Sequence, residues 1–153
     1  MDDDLAIVER QLGRPPRAFK RVAVRCPYGS PAVVEQVPFD ADGEPFPTQF
    51  WLTCRHLAAA IARLEAVGGV ERWSDAAELD PELRSSLARA HVEQQELRPE
   101  LTGGVGGSTR TGSLKCLHAH AAFALARPGY LLGDRILGEA APIWPGDCCC
   151  SAV

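Results

Sequence analysis

The sequence lacks the patterns that would identify the commonest sites. Six of its 153 residues are cysteine, yet no CxxC pair occurs, so the close ligand spacing of a zinc ribbon is missing. Basic residues are not in excess: 16 Lys and Arg stand against 20 Asp and Glu, a net charge of -4. Nonspecific nucleic-acid binding needs the opposite balance to displace counterions, which counts against nucleic acid as a partner. No apolar run approaches the roughly 20 residues that span a bilayer. The acidic start MDDDLAIVERQLG has neither the basic nor the apolar region of a secretory signal. These absences lead to the expectation of a cytoplasmic chain with no membrane partner, whose reduced thiols serve metal binding or packing. An HExxH motif is absent, and Ala122 stands where a CxxxxxR phosphatase loop starting at Cys116 would need its arginine.

What is present reads as one α+β domain over 1–153. Composition is ordinary for a globular chain, 46% hydrophobic and 24% charged, and this length can bury a core without staples. Asp3 or Asp4 caps a short helix with Leu5, Val8 and Leu12 on one face, ended at Gly13. Three strand-like runs follow, 19–25, 32–37 and 49–53, joined by the turn signals CPYGSP and DADG. Short connections predict a small antiparallel sheet of about three strands in the N-terminal third. Phe50 and Trp51 fall on opposite faces of the third run, consistent with a sheet covered on both sides.

From Leu57 the apolar period changes from two to 3.6, and four to five helices are expected. Leu57, Ile61 and Leu64 mark one helix, with Gly68-Gly69 as its stop. Ser74-Asp75 reads as the cap of a short turn, with Glu78 as a capping-box partner. Asp80-Pro81 opens a longer helix whose face runs through Leu83, Leu87, His91, Gln94 and Leu97. A glycine-rich loop over about 102–113, flexible by composition, leads into a helix from about Leu114 to Ala126. A short helix is expected within 130–141, followed by an irregular tail over about 142–153.

The helix after the glycine-rich loop concentrates the reactive side chains. Cys116 and His120 are four apart and share a helical face, whereas His118 points about half a turn away. With Cys26 and Cys54 at strand ends and His91 on an inward helix face, they make a candidate metal set: Cys26, Cys54, Cys116, His120 and His91. Four such ligands would close a structural site for zinc or iron. Two competing readings use the same stretch. Cys116 in the first helical turn, with His120 as base, would suit a small thiol-dependent enzyme. Gly107, Arg110, Gly112, Ser113 and Lys115 would cradle a small anion through backbone N–H groups, although Ser113 stands where a Walker motif requires lysine. Buried cysteines packing as small hydrophobes are the plainest account of the same residues.

Three motifs, RCPYGSPAVV (25–34), PFPTQFWLTC (45–54) and LKCLHAH (114–120), resemble the bacterial family catalogued as domain of unknown function 501, over roughly residues 12 to 133. The resemblance implies a cytoplasmic bacterial protein with no established activity, so no catalytic residue is carried over. In that family a Pro follows the Thr-Cys or Thr-His pair, where this chain has Arg55. The Cys-or-His exchange at position 54 is one that a metal ligand tolerates. On this basis the expected function is a binding or accessory role, for an unidentified protein or small-anion partner, with a structural Cys/His site. The thiol-dependent enzyme is the alternative.

Overall fold

The three N-terminal runs do form strands in a computed structural model that describes residues 2–110, 112 and 114–147. Helix α1 (Asp2–Leu12) precedes β1 (Phe19–Arg25), β2 (Pro31–Gln36) and β3 (Phe50–Leu52), which pair antiparallel in the order β1-β2-β3. Val33 faces Leu52, Val34 faces Trp51 and Glu35 faces Phe50. The N–H of Gln36 donates to Gln49 and that of Thr53 to Ala32, so positions 49, 51 and 53 are the ones that exchange hydrogen bonds with β2. β2 is buried along Pro31–Glu35, whereas β1 and β3 are edges. Only one face of β3 is covered: Phe50 is buried while Trp51 keeps 42% of its surface exposed.

Six α-helices are described, slightly above the four to five expected: α1, α2 (Arg55–Ala66), α3 (Gly69–Leu79), α4 (Pro81–Leu97), α5 (Leu117–Ala126) and α6 (Leu131–Ala140). The extra helix is α3. Gly68 takes a left-handed φ of 82°, and the chain turns from α2 into α3 within two residues, Val67 and Gly68, so a stop signal doubles as a start. Ser74 therefore lies inside α3, and its hydroxyl accepts the N–H of Leu114. Asp80 caps α4 as its sequence predicts, accepting the N–H of Glu82 with Pro81 at the first helical position.

α5, LHAHAAFALA, has no polar face. Leu117 and the run from Ala119 to Ala124 are all buried, so this helix lies inside the domain. It packs on β3, α2 and α6 and against a single 3-10 turn, Val105–Gly107. Phe123 meets Phe50 edge-on at 6.0 Å and Tyr130 at 5.8 Å between ring centroids, a favourable aromatic geometry. α6 can approach α5 because residue 133 is glycine: a Cβ there would lie 2.6 Å from that of Ala124.

A chain of buried polar groups fastens α4 to the sheet. Gln94 donates to Gln49 at 2.9 Å, and Gln49 donates to Glu35 at 2.8 Å. Glu35 also meets Arg21 at 2.7 Å. Burial pushes the Glu35 carboxyl up, but the Gln49 amide and the charges of Arg21 and Lys20 outweigh it and hold the group below the usual range. Arg98, buried just past α4, donates to the carbonyls of Phe46 and Gln36. Phe123→Ala should cost about 3–5 kcal/mol of unfolding free energy, because it opens a cavity where α5, β3 and α6 meet. Urea denaturation followed by circular dichroism measures this; a loss below ~1 kcal/mol would remove α5 from the centre of the core.

Candidate functional site

Cys116 stands outside its helix, in contrast to the first-turn position expected for it. It is the cap of α5, in extended conformation at φ -155° and ψ 159°. The helix starts at Leu117 because a tertiary partner supplies what the local sequence does not. Glu65, in the last turn of α2, accepts the Leu117 N–H at 2.7 Å, placing a carboxylate at the positive end of α5. The other Glu65 oxygen lies 3.1 Å from Nδ1 of His118, whose Nε2 lies 3.2 Å from the Ala58 carbonyl.

This junction borders a groove of about 310 Å³. The strand side is formed by Thr48, Phe50, Trp51 and Leu52, and the helix side by Ala58, Cys116, His118 and Ala119. The wall is mostly apolar, with the Cys116 thiol, the His118 imidazole, the Thr48 hydroxyl and the Trp51 indole N–H as its few polar side-chain groups, which is the make-up of a binding site. Burial pushes the Cys116 thiol up; the Glu65 carboxylate adds to this, outweighing the Ala119 and His118 amides and Lys115. The resting group is a thiol, not a thiolate. The two ring nitrogens of His118 face the Glu65 carboxylate and the Ala58 carbonyl, and no hydrogen bond joins either of them to Cys116 among the described residues.

His120 lies elsewhere. It is 1% exposed, inside the core, with Nδ1 2.7 Å from the Tyr130 hydroxyl. Its ring stands 6.2 Å from that of His91. The Val105 N–H donates to Nδ1 of His91 at 3.0 Å, which puts that ring's proton on Nε2. A neutral histidine ligand ordinarily donates its second N–H outward; His91 receives one instead. Cys26 and Cys54, both buried, sit at one end of the sheet, at the ends of β1 and β3 on either side of β2. Among the described residues no three or more His, Cys, Asp or Glu stand together where they could hold a metal ion. The residues of the candidate metal set are thus distributed among a sheet end, the groove and the core.

In the described part of the glycine-rich loop, six N–H donors are engaged within the protein. The N–H groups of Gly103, Gly104, Val105, Gly107, Ser108 and Arg110 donate, in turn, to Gln95, Ser108, His91, Gly104, Val105 and the Ser108 hydroxyl. Lys115 donates to the Gly107 carbonyl at 3.2 Å. Arg110 and Gly112 are exposed; Ser113 lies outside the described residues, as do Cys148, Cys149 and Cys150. Sequence reasoning missed Glu65, Ala58 and Trp51 and set His118 aside. Only Trp51 carried a usable signal, as a large aromatic on the second face of a short strand.

The sequence profile of a protein family of unknown function, DUF501, matches residues 22–103. The chain belongs to that family. The match takes in the sheet from Val22 within β1 onward and helices α2 to α4, hence the strand side of the groove and Ala58, and stops before α5. No curated protein and no solved structure matches the chain. No described helix is long and apolar enough to cross a membrane.

Burial of the two imidazoles makes stability depend on pH. Desolvation lowers His91, and desolvation reinforced by His91 lowers His120 to about 3 from the ordinary 6.5. The unfolded chain binds these protons near pH 6.5 and the folded chain does not, so stability is lost as pH falls from 6.5 towards 3. Between pH 6.5 and 5, His120 alone should remove about 2 kcal/mol. Urea titrations across that range should show the loss, and His120→Gln should flatten it; an unchanged slope in the variant would place the linkage on other groups.

Proposed function

We propose that the protein is a binding or accessory protein, and that its site is the groove between the β3 edge and the first turns of α2 and α5. The observation that carries this reading is the coincidence of an apolar cleft with half-exposed Trp51 and the polar pair Cys116 and His118. Apolar walls with few convergent polar groups suit a ligand with an apolar body. This reading includes a cytoplasmic setting, and the acidic balance supports a partner other than nucleic acid. Ligand-observed NMR with a fluorinated fragment set tests it: apolar fragments should bind the whole chain, and Ala58→Trp, which fills the groove, should weaken them at least tenfold. Fragment binding unaffected by that substitution would overturn the assignment.

The thiol-dependent enzyme receives less support, because Cys116 is held protonated and the ring nitrogens of His118 face Glu65 and Ala58. In a chain with Cys148, Cys149 and Cys150 replaced by Ser, Cys116 should react with iodoacetamide at pH 7 more slowly than a free thiol. Its rate should climb steeply only above pH 9. A fast reaction at pH 7 with a plateau would restore the nucleophile reading.

A further inference from the structure

The strand side of the groove is a sheet edge, and its pairing parity says which backbone groups face the cleft. Gln49, Trp51 and Thr53 occupy the positions that exchange hydrogen bonds with β2. Their neighbours Phe50 and Leu52, 5% and 6% exposed, therefore turn both N–H and C=O away from β2, toward the unpaired side of β3 that borders the groove. These four groups have no partner among the described residues. Phe50 and Leu52 both line the groove, so the cleft is bordered along one side by a ladder two residues apart. An edge of this kind is a template for another extended chain.

We infer that the groove takes an extended peptide segment of a partner protein, added antiparallel or parallel to β3 as a fourth strand; this rests on the groove being the binding site. Strand addition draws affinity from the main chain and specificity from pockets for alternate side chains. Here Trp51 lies beside the edge on the exposed face, while Ala58 and Ala119 leave room for apolar side chains on the other. Charge indicates the rest of the peptide. Glu65 is the acidic group at the junction, and it is committed to His118 and to the Leu117 N–H. Lys115 pairs with the Gly107 carbonyl and with no carboxylate among the described residues. Gly107 lies against Pro47, next to Thr48 at the start of the groove. The segment that fits is apolar at alternate positions, with an acidic residue at the Thr48 end.

A random octapeptide library panned on the whole chain tests the inference, with the enriched sequences made as synthetic peptides and measured by fluorescence anisotropy. Peptides N-methylated at one alternating set of residues should lose at least tenfold in affinity. The other set should stay within threefold, because only every second amide faces β3. Lys115→Glu should weaken the acidic peptides at least threefold. Equal tolerance of both N-methylated sets would overturn strand addition. So would failure to enrich any peptide. If apolar fragments still bind the groove in either case, the binding-site reading stands without its peptide; if they do not, both fall.

Discussion

Burial of α5 is the constraint on which the rest of the structure depends. A ten-residue helix made almost wholly of Leu, Ala, Phe and His has no face to offer solvent, so other elements must surround it. The sheet covers it through Phe50, α6 through Tyr130 and Gly133, α2 through its terminal turn, and the Val105–Gly107 turn closes a further side. Small alanines bring these elements close, and Phe123 fills the space where three of them meet. A helix enclosed in this way must find partners for its polar atoms inside the protein, and it does so for all but Nε2 of His120, which has no hydrogen-bond partner among the described residues. Tyr130 meets His120, and Glu65 takes the first amide.

Glu65 joins the fold to the site. The same carboxylate that starts α5 also meets His118, and it adds to the burial that raises the Cys116 thiol. The groove is therefore built from the place where α5 enters the core: the helix can begin only where Glu65 meets it, and that point lies beside the β3 edge. The buried relay from Gln94 through Gln49 to Glu35 performs the matching task on the other side, holding the strand segment before β3 against α4. Polar groups in both places set position, which apolar packing alone leaves loose.

Local rules made much of the fold readable. The alternation in 19–25, the turn signals CPYGSP and DADG, and the Asp80-Pro81 cap each encode their element within a few residues, and each is found. Errors arose where one signal had two uses. Gly68 is both stop and start, so the sequence around Ser74 predicts a short turn where α3 stands. The i, i+4 spacing of Cys116 and His120 implied a shared face, but residue 116 precedes the helix and helical periodicity does not apply to it. The groove was invisible in sequence for a different reason: its walls come from Thr48, Phe50–Leu52, Ala58, Cys116, His118 and Ala119, and nothing local marks Ala58 or the Glu65 that positions the helix side.

By itself, then, the sequence determined the elements and their class: an antiparallel three-stranded sheet with helices, an acidic balance, and a reactive cluster after a glycine-rich loop. These follow from periodicity, turn chemistry and charge, which act over a few neighbouring residues. Only the tertiary structure decided which reactive groups meet. Cys116 joins His118 in a groove, His120 joins His91 and Tyr130 in the core, and Cys26 and Cys54 close one end of the sheet. Side-chain chemistry depends on distances between elements far apart in the chain, and those distances are set by how the buried α5 is packed.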